Sequence, residues 1–313
     1  MRRRLSILTA MVAVIAFAAP ASAITNGTPD AGEHPYVGQL LFYVPDAESA
    51  QFNDPGGWFS CSGTLVSPTV IVTAGHCTFA VGENGVSTTN GGEATTAAEG
   101  GVGGNDVWVD FSEEAHFDGF PASADYGPDE NPQRYIDRSE FLEDSPFWAR
   151  GTSFPHPQYD DKGDAFLLHD AGVVVLDKAV RLNKYGRVPA LDYLERYRSE
   201  SRDEHRFETV GYGTERIQGF KESGGDTRMK SDPKLNSLNS NPDDTYIVLS
   251  NNTSTGGTCF GDSGGPTFDD TNSNLVVAIT SWGQSPNCTG KGGAYRLDQP
   301  DDLAFLASHG IRP

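Results

Sequence analysis

Basic residues are scarce in this sequence, which has 23 Lys and Arg against 43 Asp and Glu and a formal net charge of −20. Such an excess of negative charge repels phosphate groups, so the composition argues against binding to nucleic acid or to an anionic membrane surface. After residue 23 no apolar run approaches the length that a membrane helix needs. No alternation of helix and strand patterns is present, which argues against a parallel sheet.

The one long apolar run lies at the N-terminus, at residues 5–19. It follows three arginines at 2–4 and precedes Ala21-Ser22-Ala23, a small-residue cleavage site. This pattern predicts a secretory signal peptide over residues 1–23, because the run is too short for a membrane span. We therefore expect an exported chain that starts at Ile24, with a net charge of −23 because three arginines and no acids are removed.

Cysteine is also sparse, with four residues in the whole chain, Cys61, Cys77, Cys259 and Cys288. An even number in an oxidising compartment predicts two disulfides, for which three pairings are possible. Zinc binding is the alternative, but no C-x-x-C or H-x3-H pair supports it.

Residues 258–266 read Thr-Cys-Phe-Gly-Asp-Ser-Gly-Gly-Pro, with Ser263 between glycines and Asp262 directly before it. Glycines on both sides of a serine allow a tight turn whose backbone N–H groups point into a cleft. Such groups stabilise the negative oxygen of a tetrahedral intermediate. On its own, the motif is equally compatible with a Gly-rich turn that carries an incidental serine.

Two further stretches supply a histidine and an acid. Thr73-Ala74-Gly75-His76-Cys77 contains the histidine, and Asp170 precedes an apolar run that ends at Leu176. In this order of His, Asp and Ser, the motifs resemble the chymotrypsin/trypsin family of secreted serine proteases over essentially all of residues 24–313. The resemblance implies an all-β fold of two packed six-stranded antiparallel barrels with a short C-terminal helix and the active site between them.

The resemblance also implies the catalytic roles. Ser263 is the nucleophile, His76 the general base and Asp170 the residue that orients the imidazole. Asp164 is the alternative acid. The backbone N–H groups of Gly261 and Ser263 form the oxyanion hole, and Ser281 lies on the far side of Asp170.

Two structural features come from the same resemblance. The implied disulfides are Cys61–Cys77 and Cys259–Cys288. Ile24 resembles the mature N-terminus of the family, whose new α-amino group pairs with the acid before the catalytic serine, here Asp262. A buried aspartate needs such a cation, because an unpaired charge is costly in a low-dielectric interior. We expect signal-peptide removal alone to release this terminus, with no separate pro-segment.

The specificity pocket is predicted from positions around the serine. Gly257 corresponds to the pocket floor, where trypsin-like members carry an aspartate, and Gly283 and Gly293 correspond to the walls. Phe260 and Trp282 complete the predicted substrate-binding set with Ser281. An open and uncharged pocket favours a large apolar or aromatic P1 side chain, whereas Lys291 would favour an acidic one if it reached the pocket.

Residues 81–150 depart from the family pattern, because 94 positions separate His76 from Asp170. This stretch holds 15 Asp and Glu against 3 Arg and begins with a Gly/Thr/Ala-rich part, residues 81–104. It predicts a surface loop followed by a solvated acidic face, flanked by strands at 107–111 and 147–154. A calcium loop is possible in principle, but no ordered ligand spacing supports it.

We therefore expect a secreted, monomeric serine endopeptidase that acts on polypeptides and needs no cofactor or metal. The alternatives are a non-catalytic binding module with the same fold and a secreted esterase. An α/β-hydrolase is disfavoured because its triad runs in the order Ser, Asp, His.

Overall fold

The structure, a computed structural model, describes residues 24–45, 47, 56–82, 104–127, 129–159, 168–198, 205–218, 221–238, 245–269 and 274–313. The predicted signal peptide, residues 83–103 of the Gly/Thr/Ala-rich part and Asp164 lie outside the described residues. Among the described helices, none is long and apolar enough to cross a membrane.

Strands are the main regular secondary structure of the described chain, as the runs of β-branched and aromatic residues predict. They are β1 Thr28–Pro29, β2 Val37–Val44, β3 Gly57–Leu65, β4 Val70–Thr73, β5 Val107–Asp110, β6 Ala149–Pro155, β7 Gly172–Leu176, β8 Glu208–Gly211, β9 Arg216–Gln218, β10 Lys221–Ser223, β11 Met229–Ser231, β12 Leu235–Leu238, β13 Tyr246–Asn251, β14 Pro266–Phe268, β15 Val276–Gly283 and β16 Gly290–Arg296. The helices are α1 Asn131–Asp144 and α2 Pro300–Ser308, with 3-10 helices at Gly75–Cys77, Ser123–Asp125 and Tyr193–Tyr197.

The first half of the chain forms a closed antiparallel barrel in the order β2-β3-β4-β7-β6-β5. Its wall is apolar on the inside: β4 is buried along its length, and so is nearly all of β2. The barrel packs its side chains into the larger of the buried clusters, around Trp108, Leu40 and Val173.

The second half forms a sheet in the order β1-β11-β8-β14-β15-β16-β13-β12. Strand β11, next to one end of this sheet, and β12, at the other end, are close in sequence, because only residues 232–234 separate them. Pro233 lies in that gap, and a proline cannot donate a ladder hydrogen bond. The second half is a half-barrel of eight strands, and not the closed six-stranded barrel that the resemblance implies. The predicted all-β double-barrel fold is otherwise confirmed, with β1 added at the edge.

The acidic insertion contains a packed helix, which differs from the solvated face that its composition predicts. The predicted flanking strands are present as β5 and β6, but α1 lies between them and was not predicted. Tyr135 and Leu142 on α1 are fully buried, and Arg138 is nearly so. The helix thus packs on the first barrel and adds to its core. Whether the acidic segment binds calcium stays a prediction.

The chain ends in α2, close to the predicted span of 299–309. Asp301 and Asp302 lie in its first turn, after Pro300, as expected for a helix N-terminus. Phe305 and Leu306 on this helix join the same buried cluster as the first barrel. The helix contacts both halves of the chain, through the His156 ring against Phe305 and the Tyr295 hydroxyl that donates to Asp302 at 3.1 Å.

Candidate active site

The strand register brings His76 and Asp170 together across 94 positions of sequence. Strands β4 and β7 are antiparallel neighbours, with Thr73 opposite Gly172. The chain leaves β4 at Thr73 and enters β7 at Gly172, so both events occur at one end of the pair. His76 lies three residues after the exit and Asp170 two residues before the entry, and both side chains therefore occupy the same corner of the barrel.

Asp170 is fully buried and accepts several hydrogen bonds. The His76 backbone N–H donates to Oδ1 at 2.9 Å, and His76 Nδ1 lies 3.1 and 3.0 Å from the two carboxylate oxygens. The Ser281 hydroxyl donates to Oδ2 at 2.5 Å. A carboxylate next to Nδ1 keeps the hydrogen on that nitrogen, which makes Nε2 the basic one.

Ser263 lies in a tight loop between the barrels. Its carbonyl accepts the Ser62 N–H at 2.8 Å, which ties the loop to the first barrel. Gly264 has φ +74°, and a Cβ there would lie 2.0 Å from Thr73 Oγ1. Only glycine fits that position, for both conformation and space. Ser263 and His76 line one cleft of about 600 Å³, which we call the His76 cleft.

Two backbone donors beside Ser263 have no acceptor within the described chain, namely the N–H groups of Gly261 and Ser263. The Phe260 carbonyl accepts the Thr214 N–H at 2.6 Å. Because the 260–261 peptide is trans, the Gly261 N–H points the opposite way, and Gly261 lines the His76 cleft. The role of these two N–H groups as an oxyanion hole stays a prediction.

Asp262 is fully buried with two backbone partners, the N–H groups of Gly213 and Cys259, each at 2.8 Å. Its carboxylate has no cationic partner among the described residues. Burial raises the pKa of Asp262 to about 7. A cation next to the Asp262 carboxylate would balance its charge when it is ionised.

Ile24, the predicted source of that cation, is also fully buried. The next residue, Thr25, pairs with Gly257, and its hydroxyl donates to Asn251 Oδ1 at 3.2 Å. In the full chain, Ile24 is joined to Ala23 and has no free amino group. The ion pair with Asp262 therefore stays a prediction for the processed form.

Both disulfides implied by the family resemblance are present. Cys61 is bonded to Cys77, which closes a loop around His76, and Cys259 to Cys288, which closes one beside Ser263. The described chain has no free cysteine. The zinc alternative for these thiols is thereby excluded.

A second cavity of about 400 Å³, which we call the Trp282 cavity, lies on the other side of Ser263. Its lining is the segments 258–260, 280–286, Ser263 and Cys288, none of them charged. Gly283 is open to it, since a Cβ there would meet nothing within 4 Å. Phe260, Ser281 and Trp282 line it, and their role in substrate binding stays a prediction.

Two predicted pocket glycines lie outside this lining. Gly257 and Gly293 line a small cavity of about 10 Å³ behind it. A Cβ on Gly293 would lie 2.1 Å from the Trp282 indole, so this ring occupies the space expected to be open. Lys291 is exposed and is not part of the lining of the Trp282 cavity.

Ser62 was missed by sequence reasoning. Its hydroxyl donates to the Gly261 carbonyl at 2.9 Å and accepts the Tyr212 N–H at 3.0 Å. With the bond to the Ser263 carbonyl, it joins three segments around the nucleophile. The one available signal is its position directly after Cys61.

Two described clusters have metal-binding residue types near the site. One contains His76 with Cys61 and Cys77, whose sulfurs are bonded to each other. In the other, ligand atoms of His156, His169 and Asp301 lie within 4.8 Å of one another. The two imidazoles are stacked, with an interplanar angle of 10°. Their in-plane lone pairs therefore run in parallel planes and cannot converge on one ion. His156 Nδ1 also accepts the Gln158 N–H at 3.2 Å. This geometry fits ring stacking better than metal ligation.

Comparison with known proteins gives one family match. Residues 145–299 match the Trypsin family model. This segment includes Asp170 and Ser263, while His76 lies before it. No curated protein matches the sequence.

Solved structures share the fold at low sequence identity. HL collagenase aligns with a TM-score of 0.59 and 15% identity, covering 93% of this chain and 100% of that one. Neuropsin, a serine protease expressed in the limbic system of mouse brain, aligns with a TM-score of 0.54 and 17% identity, covering 92% and 99%. The whole length of each matched structure thus has a counterpart here.

Proposed function

The chain belongs to the chymotrypsin/trypsin-like family of serine proteases, and on that premise we propose that it is a secreted serine endopeptidase. The observation that carries the proposal is the fully buried Asp170 carboxylate bonded to His76 Nδ1, in a cleft that also contains Ser263. A serine hydroxyl is a weak nucleophile near neutral pH and needs an adjacent base of this kind.

The proposed reaction proceeds through an acyl-enzyme. Ser263 Oγ attacks the peptide carbonyl while His76 Nε2 takes its proton, and the resulting imidazolium is stabilised by Asp170. The oxyanion is held by the N–H groups of Gly261 and Ser263. The imidazolium then protonates the leaving amine, and water attacks the acyl-enzyme by the reverse sequence. These roles are the family's, applied to the residues that match its motifs, and no step needs a cofactor.

We assign the P1 side chain to the Trp282 cavity and expect it to be apolar or aromatic. The cavity has about 400 Å³ of space and no charged group in its described lining. A charged P1 group would lose its hydration there without a partner, whereas a phenyl ring would gain from burial.

Maturation supplies the missing cation in this proposal. Cleavage before Ile24 creates an α-amino group, and its insertion beside Asp262 would neutralise a carboxylate that is buried without a cation. Export would provide this cleavage, and the oxidising compartment suits the two disulfides.

Purified mature protein with a set of peptides that differ only at P1 tests the proposal. We expect cleavage after Phe, Tyr or Leu to exceed cleavage after Asp or Arg by at least about tenfold in kcat/KM. Ser263→Ala, the matched control for a contaminating protease, removes the activity. Hydrolysis of esters without any cleavage of peptides would favour the esterase alternative. Cleavage that persists in Ser263→Ala would refute the assignment of the nucleophile.

A further inference from the structure

The His76 cleft and the Trp282 cavity both reach Ser263. Two of the residues that line the cleft, Ser263 and Phe260, also line that cavity. The two spaces therefore meet at the nucleophile, with Phe260 at their junction. A polypeptide that places its P1 side chain in the Trp282 cavity continues through one space into the other.

The position of His76 determines which part of the substrate the cleft receives. His76 lines the His76 cleft and is absent from the described lining of the Trp282 cavity. In the proposed reaction the imidazolium gives its proton to the leaving amine. The leaving amine must therefore lie next to His76, and the residues that follow the scissile bond must lie in the His76 cleft.

Aromatic rings form the walls of this cleft. Phe42 and Phe59 are cross-strand partners on β2 and β3, with ring centroids 6.0 Å apart. Beside His76, the ring centroids of Phe79 and Tyr159 are 5.2 Å apart. Both pairs line the cleft.

Two aromatic side chains that line the cleft, Phe59 and Phe260, are largely exposed. Phe59 has 46% of its surface exposed and Phe260 has 53%, although most large apolar side chains of the described chain are buried. Leaving phenyl rings in water costs free energy that burial against a ligand recovers. Exposed rings that face a cleft beside a nucleophile indicate a surface for an apolar partner.

The lack of charged residues in the described lining of the cleft also favours an apolar ligand. The described lining of the cleft has no Asp, Glu, Lys or Arg, although the chain as a whole contains 66 of them. A charged substrate residue would meet no counter-charge from these residues and would be desolvated by the rings. An apolar residue would instead bury its own surface and that of Phe59.

We propose that the His76 cleft binds apolar, preferably aromatic, residues on the leaving-group side of the scissile bond, and that Phe59 and Phe260 determine this specificity. The inference rests on the proposed acyl-enzyme chemistry. It adds a second recognition site to the P1 cavity, so that the enzyme selects bonds flanked by apolar residues on both sides.

Acyl transfer to amines tests the cleft directly. A simple ester with an apolar acyl group forms the acyl-enzyme, and an added amino acid amide then competes with water. The amine nitrogen attacks the acyl carbonyl, the bond to Ser263 Oγ breaks, and the amine proton passes through His76 to Oγ. The ratio of amide product to hydrolysis product is set within one acyl-enzyme, so it does not depend on the fraction of active protein.

For the wild-type mature protein, we expect phenylalaninamide to capture the acyl group about tenfold more effectively than glycinamide, and aspartic acid amide to be the poorest. Phe59→Ala should reduce the preference for phenylalaninamide to about threefold or less. Phe147→Ala is the matched control: Phe147 is 50% exposed but does not line this cleft, so its replacement should leave the preference unchanged.

Equal capture by phenylalaninamide and glycinamide in the wild type would overturn the inference. So would a full preference retained by both Phe59→Ala and Phe260→Ala. In each of these cases ester hydrolysis continues, and the proposed peptidase function stands. Absence of any ester turnover in the mature protein would instead overturn both proposals.

Discussion

At the residue scale, Asp170 shows how burial and hydrogen bonding define one proton position. The carboxylate is fully buried and has three donors, the His76 backbone, His76 Nδ1 and Ser281 Oγ. An asparagine in its place would keep the volume, but its amide N–H group would face one of these donors and could not accept a hydrogen bond from it. The imidazole would then change tautomer, and its lone pair would no longer lie at Nε2.

Asp170→Asn should therefore lower kcat by about 10⁴-fold near neutral pH, as wrong-tautomer variants in this family do. The measurement is turnover of a chromogenic P1-Phe substrate, with circular dichroism to verify folding. Asp177→Asn is the matched control, because Asp177 is exposed and lies just after β7. Comparable activity of the two variants would contradict the assignment of Asp170.

A second set of buried residues links the N-terminal segment to the second half of the chain and contributes to stability. His34 Nδ1 lies 2.5 Å from Asp30 and its Nε2 lies 3.1 Å from Glu208, while Arg228 donates to Asp30 at 2.9 Å. Burial alone would lower the pKa of His34, but its bonds to Asp30 and Glu208 outweigh this and raise it. Burial would likewise raise the pKa of Asp30, but the bonds from His34 and the charge of Arg228 lower it to about 2.

His34→Ala should lower the free energy of unfolding by about 3–5 kcal/mol near pH 6, because it leaves two buried carboxylates short of a partner. The contribution of His34 is complete below its unfolded pKa of about 6.5 and is lost as pH rises through the raised folded value. The difference between wild type and variant in urea should therefore shrink at alkaline pH. A difference that grows with pH would contradict this account.

At the element scale, α1 was not predicted from the sequence, because several of its buried residues are charged or polar. Its buried positions follow the helical period and are Asn131, Arg134, Tyr135, Arg138, Ser139 and Leu142. Only Leu142 among them is aliphatic, and two are arginines. Arg138 packs over the Phe120 ring at 4.7 Å and donates to the Pro121 carbonyl. A count of apolar residues misses a helix that buries arginine stems against rings.

Tyr135 links this helix to the barrel. Its ring packs 4.8 Å from Tyr43, and its hydroxyl donates to Asp106 at 3.0 Å. Tyr135→Ala should cost about 3–5 kcal/mol of stability, whereas Ile136→Ala, at a 40% exposed neighbouring position, should change it by less than about 0.5 kcal/mol. Urea unfolding compares the two. If both substitutions changed the free energy of unfolding by equally small amounts, α1 would be part of a solvated surface, as the composition of the insertion suggests.

The strands were predictable to a greater extent than α1, for a physical reason. β2, β4 and β13 are buried almost throughout and read as continuous apolar runs. Their pairing could not be read from the sequence, because register depends on residues far apart in the chain. The end of β11 shortly before Pro233 had a local signal in the proline itself.

At the scale of the whole molecule, the barrels meet at the serine loop. The catalytic motifs could be found because glycine, serine and histidine in tight loops leave a local signature. The connections between the barrels could not, since Ser62 on β3 holds Gly261 from the other half through ordinary hydrogen bonds. The position of the Trp282 ring over Gly293 likewise depends on cross-strand packing and not on either residue alone.

Asp262 provides a test of maturation that involves the whole fold. Burial raises its pKa to about 7 in the full chain, so its contribution to stability is complete below about pH 4 and is lost as pH rises through about 7. A chain extended before Ile24 should lose stability over this range, whereas a chain that starts at Ile24 should not, because the ion pair favours the carboxylate. Parallel thermal unfolding curves of the two forms from pH 5 to 8 would argue against the pairing.

The central claim is that Ser263 is a nucleophile activated by His76 and Asp170, and intact mass tests it most directly. The mature protein is weighed before and after treatment with a serine-directed phosphonofluoridate. We expect a starting mass that begins at Ile24 and a single adduct on Ser263, which is lost in Ser263→Ala and strongly slowed in His76→Ala. A chain that begins at Ile24 and gains no adduct would contradict it and would favour a binding module that retains the protease fold.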